Sequence, residues 1–124
     1  MSFDCYNEIT MDQGRELLIY CVSEYLSAIN SNEKIRPYLI HYPFTPKDVE
    51  IRIFIHRPDH RDVPMGALTV VSEMDGQLVY KILQPDPIVL KRIHEEPYEE
   101  AVEILEKSAP FEKIRKKARP VNPI

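Results

Sequence analysis

Apolar and polar residues alternate along the middle of the chain. Four β-branched residues occupy every second position of residues 49–55, which is typical of a strand with one buried face. Two further apolar runs, 67–74 and 77–83, flank Asp75-Gly76. This pair favours a type I′ hairpin turn, because both of its central residues need positive φ. The pattern therefore predicts a three-stranded antiparallel meander.

The hairpin turn also predicts the register of its two strands. With Met74 opposite Gln77, the pairing would extend to Thr69 opposite Ile82 and Leu68 opposite Leu83. We expect one face of this hairpin to continue the isoleucine row of the first strand. The second face is only partly polar, so the C-terminal helix, a second subunit or a ligand must cover it. Its predicted members are Arg52, Phe54, His56, Val70, Ser72, Val79 and Lys81.

An amphipathic helix is predicted before the meander, from about residue 11 to 29. Thr10 and Gln13 match a capping box, and six apolar residues follow at helical spacing. Asn30-Ser31-Asn32 would end the helix. We expect it to cover the isoleucine face, and we interpret residues 1–9 as containing a short edge strand.

The connector at 33–48 contains three prolines and several aromatic residues. It is expected to pack over the edge of the core; if it is exposed, Tyr38, Tyr42 and Phe44 become candidates for binding a partner. The polar segment 57–66 is long for a connection between two strands, and such loops often carry function.

The C-terminal part predicts one or two helices. Residues 87–94 are compatible with a short helix or with a fourth strand, and a further helix is predicted from Tyr98. The outline is an α+β, two-layer fold with one domain at 1–112. Residues 113–124 hold five of the 16 basic side chains and no acidic one, which indicates a basic, mobile tail.

Composition is that of a small globular domain. The chain has 124 residues and a net charge of −4, and all 20 acidic residues precede the basic tail. Phosphates would be repelled by this acidic part, so nucleic-acid binding is expected only through the tail. The two cysteines, Cys5 and Cys21, make no disulfide framework, and Cys21 is expected to be buried on the helix. Without a signal peptide or membrane span, the expected location is the cytoplasm, or outside it if a native leader is missing.

Candidate chemistry is sparse. His56 and His60, with Asp59 and Asp62 nearby, are weak metal-ligand candidates, because Pro58 interrupts the helix that this spacing would need. No nucleophile motif and no glycine-rich phosphate loop occurs. No catalytic residue and no cofactor is therefore predicted.

Several segments resemble small uncharacterised proteins of intracellular bacteria. They are ELL at 16–18, SAINSNEKIRPYL at 27–39, YPFTPKDVEIRIFI at 42–55 and VVS-x-x-DG-x-L-x-Y at 70–80. Together they cover about half of the chain. The resemblance implies no activity and transfers no functional residue. Longer members carry extra N-terminal sequence, which would be compatible with export.

The leading hypothesis is a non-enzymatic interaction module that binds a protein, a peptide or a second copy of itself. Its candidate residues are Arg52, Phe54 and His56 on the second sheet face, with Tyr38, Tyr42 and Phe44 of the connector. A chaperone-like dimer is one version of this hypothesis. The alternative is a small ligand- or metal-binding enzyme that uses the region of His41, His56 and His60.

Overall fold

The computed structural model describes residues 1–39, 42–85 and 87–108. It shows an α+β fold with five strands and two α-helices, so the predicted fold class is confirmed. The strands are β1 (Ser2–Cys5), β2 (Ile51–Ile55), β3 (Leu68–Met74), β4 (Gln77–Gln84) and β5 (Val89–Pro97), and the helices are α1 (Met11–Asn30) and α2 (Tyr98–Glu106). Short 3₁₀ helices occupy Arg36–Tyr38 and Pro46–Asp48. The predicted tail at 113–124 lies outside the described residues.

The five strands lie in the sheet in the order in which they occur along the chain. Strands β2 to β5 form an antiparallel meander, while β1 pairs parallel to β2. Parallel neighbours need a crossover connection, and α1 lies on the segment that joins them. The sheet thus contains the predicted three-stranded meander and extends it by one strand on each side.

The capping box of α1 is present as predicted. The Thr10 hydroxyl accepts from the Gln13 backbone N–H at 3.1 Å, and the Gln13 amide oxygen accepts from the Thr10 N–H at 2.9 Å. At the other end, the Ser31 hydroxyl donates to the Ser27 carbonyl at 2.7 Å. The helix therefore begins and ends within one residue of the predicted bounds.

The hairpin between β3 and β4 has the predicted turn but only part of the predicted register. Asp75 and Gly76 have φ of 53° and 79°, and the pairs from Met74–Gln77 to Val70–Lys81 are confirmed. A bulge then shifts the register, so Leu68 lies opposite Ile82 and the predicted Leu68–Leu83 and Thr69–Ile82 pairs are wrong. The Thr69 hydroxyl supports the bulge, because it accepts from the Leu83 N–H at 3.2 Å.

Residues 89–97 form a strand, so the predicted short helix at 87–94 is wrong and its rival, a fourth meander strand, is confirmed. Val89 to Pro97 pair with β4 along its whole length. Without β5, the outer backbone groups of β4 would have no partner strand, so tertiary pairing overrides a weak helical pattern here. Of the one or two C-terminal helices predicted, the described residues contain one, at Tyr98–Glu106.

Both helices pack against the same face of the sheet. The core consists of the isoleucine row of β2, the inward residues of β3 and β4, and the apolar stripes of α1 and α2. Cys21 is half-buried and packs against this core, and its burial raises the pKa of the thiol. The expected contact of the first helix with the isoleucine face is thus confirmed, and α2 shares that face.

Gly14 sets how closely α1 approaches the sheet. A Cβ atom at this position would lie 3.1 Å from Val71 Cγ1 and 3.3 Å from Leu68 Cδ2. We expect Gly14→Val to lower the free energy of unfolding by about 1–3 kcal/mol, even though valine has the higher helix propensity. Urea unfolding would test this, with Ala28→Val at an exposed position of the same helix as the control. Equal effects of the two substitutions would contradict the close-packing explanation.

Candidate functional site

The sheet face opposite α1 and α2 carries most of the residues predicted for partner binding. We call it the open face and define it by Arg52, Phe54, Val70, Ser72, Val79 and Lys81. The register places them together. Between β2 and β3, Arg52 pairs with Ser72 and Phe54 with Val70. Between β3 and β4, Ser72 pairs with Val79 and Val70 with Lys81. His56 continues this row beyond the end of β2, where it forms an isolated bridge with Asp62.

The open face has a partly buried apolar centre. Val70 is buried, although it does not belong to the core beneath the helices. Phe54 remains 37% exposed beside it, and Arg52 forms an exposed ion pair with Glu50 at 3.1 Å. Phe54 is therefore the accessible aromatic side chain of a surface whose margin is charged.

The aromatic connector, residues 33–48, is attached to the C-terminal end of α1. The Asn30 side chain binds the Phe44 backbone through its oxygen at 2.7 Å and its nitrogen at 3.0 Å, and the Tyr42 hydroxyl donates to the Asn30 carbonyl at 3.2 Å. These bonds hold Tyr42 and Phe44 at the C-terminal end of α1. Tyr38 is 86% exposed rather than packed on the core. The predicted binding residues thus occupy two regions, the open face and the end of α1.

The predicted histidine pair is brought together by a residue that the sequence did not single out. The Tyr6 ring stacks on His60 with centroids 4.1 Å apart and on His56 at 5.2 Å. His56 Nε2 also lies 2.8 Å from Asp4 Oδ1. Among the described residues, no group of three or more His, Cys, Asp or Glu side chains is placed to hold a metal ion. His41, the third histidine of the enzyme hypothesis, lies outside those residues.

A cleft of about 440 Å³ lies between β1 and the first half of α1. Its lining includes Cys5, Ile9, Leu17 and Tyr20, with Glu16 among the polar contributors. Neither His56 nor His60 lines it. The Cys5 thiol donates to the Asn7 carbonyl at 3.5 Å at the margin of this cleft.

A buried polar network joins α1 to β4 and β5. Arg15 binds the Glu96 carboxylate with two bonds, from Nε at 2.8 Å and from Nη2 at 3.1 Å. The Tyr80 hydroxyl donates to the same carboxylate, and His94 Nε2 lies 3.1 Å from its Oε1. Asp12 receives a further bond from Arg15 at 2.6 Å. The sequence did not indicate this site, because Arg15 and Glu96 are 81 residues apart along the chain.

The titration of this network follows from its contacts. Burial alone would raise the pKa of Glu96, but hydrogen bonds from Arg15, Tyr80 and His94 outweigh it and hold the pKa below the ordinary value. Burial, together with the neighbouring Glu96 carboxylate, raises the pKa of the Tyr80 hydroxyl. Glu96 therefore stays charged and each of its oxygens is occupied, which suits a structural link better than a reacting group.

Comparisons with known proteins assign no family. No family model, no curated protein and no solved structure matches this chain. The resemblance to proteins of intracellular bacteria therefore stays a prediction. Within the described residues, neither helix combines the length and the apolar character that crossing a bilayer requires.

Removal of Arg15 should be costly, because it would leave the Glu96 carboxylate buried without its cation. We expect Arg15→Met to lower the free energy of unfolding by about 3–5 kcal/mol. The control is Arg61→Met, which breaks an exposed contact of 3.8 Å with Asp59 and should cost less than about 1 kcal/mol. Denaturant unfolding of both variants measures the difference, and similar losses would show that the network contributes little.

Glu73 should make stability depend on pH. Its carboxyl is fully buried; Oε2 accepts from the Gly76 N–H at 3.0 Å, whereas Oε1 lacks a hydrogen-bond partner among the described residues. Burial raises the pKa of Glu73 from 4.5 to about 7. The folded state then holds a proton that the unfolded chain releases near pH 4.5, so stability falls as pH rises towards 7.

Glu73→Gln should remove this fall. Relative to the original chain, the variant should gain about 2–3 kcal/mol of unfolding free energy between pH 5 and pH 8. Urea unfolding at several pH values would measure the gain, with Glu103→Gln at an exposed position of α2 as the control. Parallel pH curves for the original chain and Glu73→Gln would contradict a raised pKa.

Proposed function

We propose that this protein is a non-enzymatic interaction module that binds a protein or peptide on the open face of its sheet. The observation that supports this most directly is the one-sided packing of α1 and α2, which leaves Phe54 accessible on the opposite side. The proposal keeps the predicted residues Arg52 and Phe54 at the centre of the binding surface.

The chemistry of the open face is that of an interface. Aromatic residues and arginine are the side chains most enriched at the energetic centres of protein interfaces. Phe54 provides an aromatic side chain beside buried Val70, and Arg52 adds a cation whose present partner, Glu50, is exposed. An exposed ion pair contributes little to folding, so Arg52 is free to exchange Glu50 for a partner's carboxylate.

The connector supplies a second aromatic group for the same proposal. Tyr38 is exposed, and Arg36 lies over the Tyr42 ring at 4.4 Å from its centroid. The bonds from Asn30 fix this segment to the end of α1. A partner large enough to extend around the edge of the sheet would contact both regions, whereas a short peptide would use the open face alone.

Selection from a random peptide library displayed on phage tests the proposal. We expect the protein to enrich peptides, and we expect Phe54→Ala to weaken their binding by about 30-fold or more. Because Phe54 is 37% exposed, the variant should still unfold cooperatively, with a free energy of unfolding lowered by about 1–2 kcal/mol.

Phe3→Ala is the matched control, since Phe3 is an aromatic residue of β1 with 45% exposure and pairs with Ile53 of the isoleucine row. It should leave peptide binding intact. Enriched peptides that bind the Phe54→Ala and Phe3→Ala variants equally well would refute a binding site on the open face, as would a cooperative unfolding lost with Phe54→Ala.

A further inference from the structure

The outer edge of β5 is a long strand edge with apolar side chains. β5 ends the sheet, and within residues 1–39, 42–85 and 87–108 no strand pairs with its outer side. It has nine residues, whereas β1 at the other edge has four. Ile88, Val89, Leu90 and Ile93 are exposed on it or next to it. Such an edge presents unpaired backbone groups and is a template for adding another strand.

A bulge arranges the charges of this edge in a particular way. The register between β4 and β5 shifts at Ile93, so that Arg92 pairs with Lys81 and Glu95 with Val79. Lys81 and Val79 lie on the same side of β4, and therefore Arg92 and Glu95 also share one side of β5. Arg92 comes directly before Ile93-His94 and Glu95 directly after it. The cation and the anion are therefore placed symmetrically about the bond between Ile93 and His94.

We infer that β5 is the interface through which two copies of this chain associate. A second copy would add antiparallel to β5 around a two-fold axis at Ile93–His94. Arg92 of each copy then lies opposite Glu95 of the other, and Leu90 flanks the ladder on both sides. The interface is isologous, because the same strand serves both copies.

The charge order selects this partner over an unrelated strand. A chain of net charge −4 repels a second copy in general, but β5 carries two basic and two acidic residues. Its basic residues, Lys91 and Arg92, precede its acidic ones. When two copies of β5 pair antiparallel, the basic part of each strand therefore lies opposite the acidic part of the other. Glu96 is occupied by Arg15, which leaves Glu95 as the available anion. Arg92 and Glu95 now bind each other at 3.0 Å as exposed side chains, and association exchanges these partners.

Solution mass of the full chain tests the inference, measured by light scattering and by sedimentation over a range of concentrations. The 14.5 kDa chain should give twice this mass. Arg92→Glu and Glu95→Arg place like charges opposite each other, and each should raise the dimer dissociation constant about tenfold or more.

Rescue identifies the pairing. A mixture of the Arg92→Glu and Glu95→Arg variants should form a heterodimer, and the double variant R92E/E95R should recover the homodimer. Arg61→Glu, an equal charge reversal in the loop before β3, should leave the mass unchanged. A monomer at all concentrations overturns the inference. A dimer whose dissociation constant is unchanged by Arg92→Glu and Glu95→Arg, or is not restored in R92E/E95R, overturns it as well.

This inference goes beyond the proposed function, because it uses the edge of the sheet and not the open face. The two are separable by experiment. Phe54→Ala should leave the solution mass unchanged, and Arg92→Glu should leave peptide binding unchanged. Peptide capture that depends on Phe54 in a monomeric protein would remove the edge inference alone. A rescued dimer that selects no peptides would remove the open-face proposal alone.

Discussion

The fold depends on one buried carboxylate. Glu96 is the point at which α1, β4 and β5 meet, because Arg15 and Tyr80 both donate to it. A charged group in this environment is destabilising unless its partners are in place, so the bonds specify where α1 lies relative to the outer half of the sheet. They also fix the end of β5 that leads into α2. An apolar residue at position 96 could fill the same volume but would carry no such directional information.

The placement of α1 and α2 on one face follows from the order of elements. α1 connects two parallel strands, and α2 starts directly after β5 with its Tyr98 N–H bonded to the Gly76 carbonyl of the hairpin turn. Both connections return to the side of the isoleucine row, where the apolar stripes of the helices are buried. Among the described residues, the open face is thus a consequence of topology.

Much of the fold could be predicted from sequence because its signals are local. The capping box at Thr10, the alternation from Val49 to Ile55 and the Asp75-Gly76 turn each specify their own conformation, and all three are found. The bulge near Thr69 could not be predicted, since it depends on a hydroxyl that replaces one bond of the ladder with β4. The Arg15–Glu96 contact joins residues far apart in sequence, which no local pattern indicates.

The strand β5, and with it the edge of the sheet, was harder to predict from the sequence than the other strands of the meander. Its sequence has no clean period, because a bulge at Ile93 interrupts the alternation and because only one of its edges has a partner strand within the described residues. The outer edge, which has no partner strand among the described residues, is where a further strand could add. Edge strands are commonly protected from pairing by short length, by charged residues, by proline or by a bulge, and β5 combines a bulge and charged residues with an unusual length of nine residues. β5 is long, mostly apolar at its start and ordered in charge along its length, and these are the features from which we infer a second strand beside it.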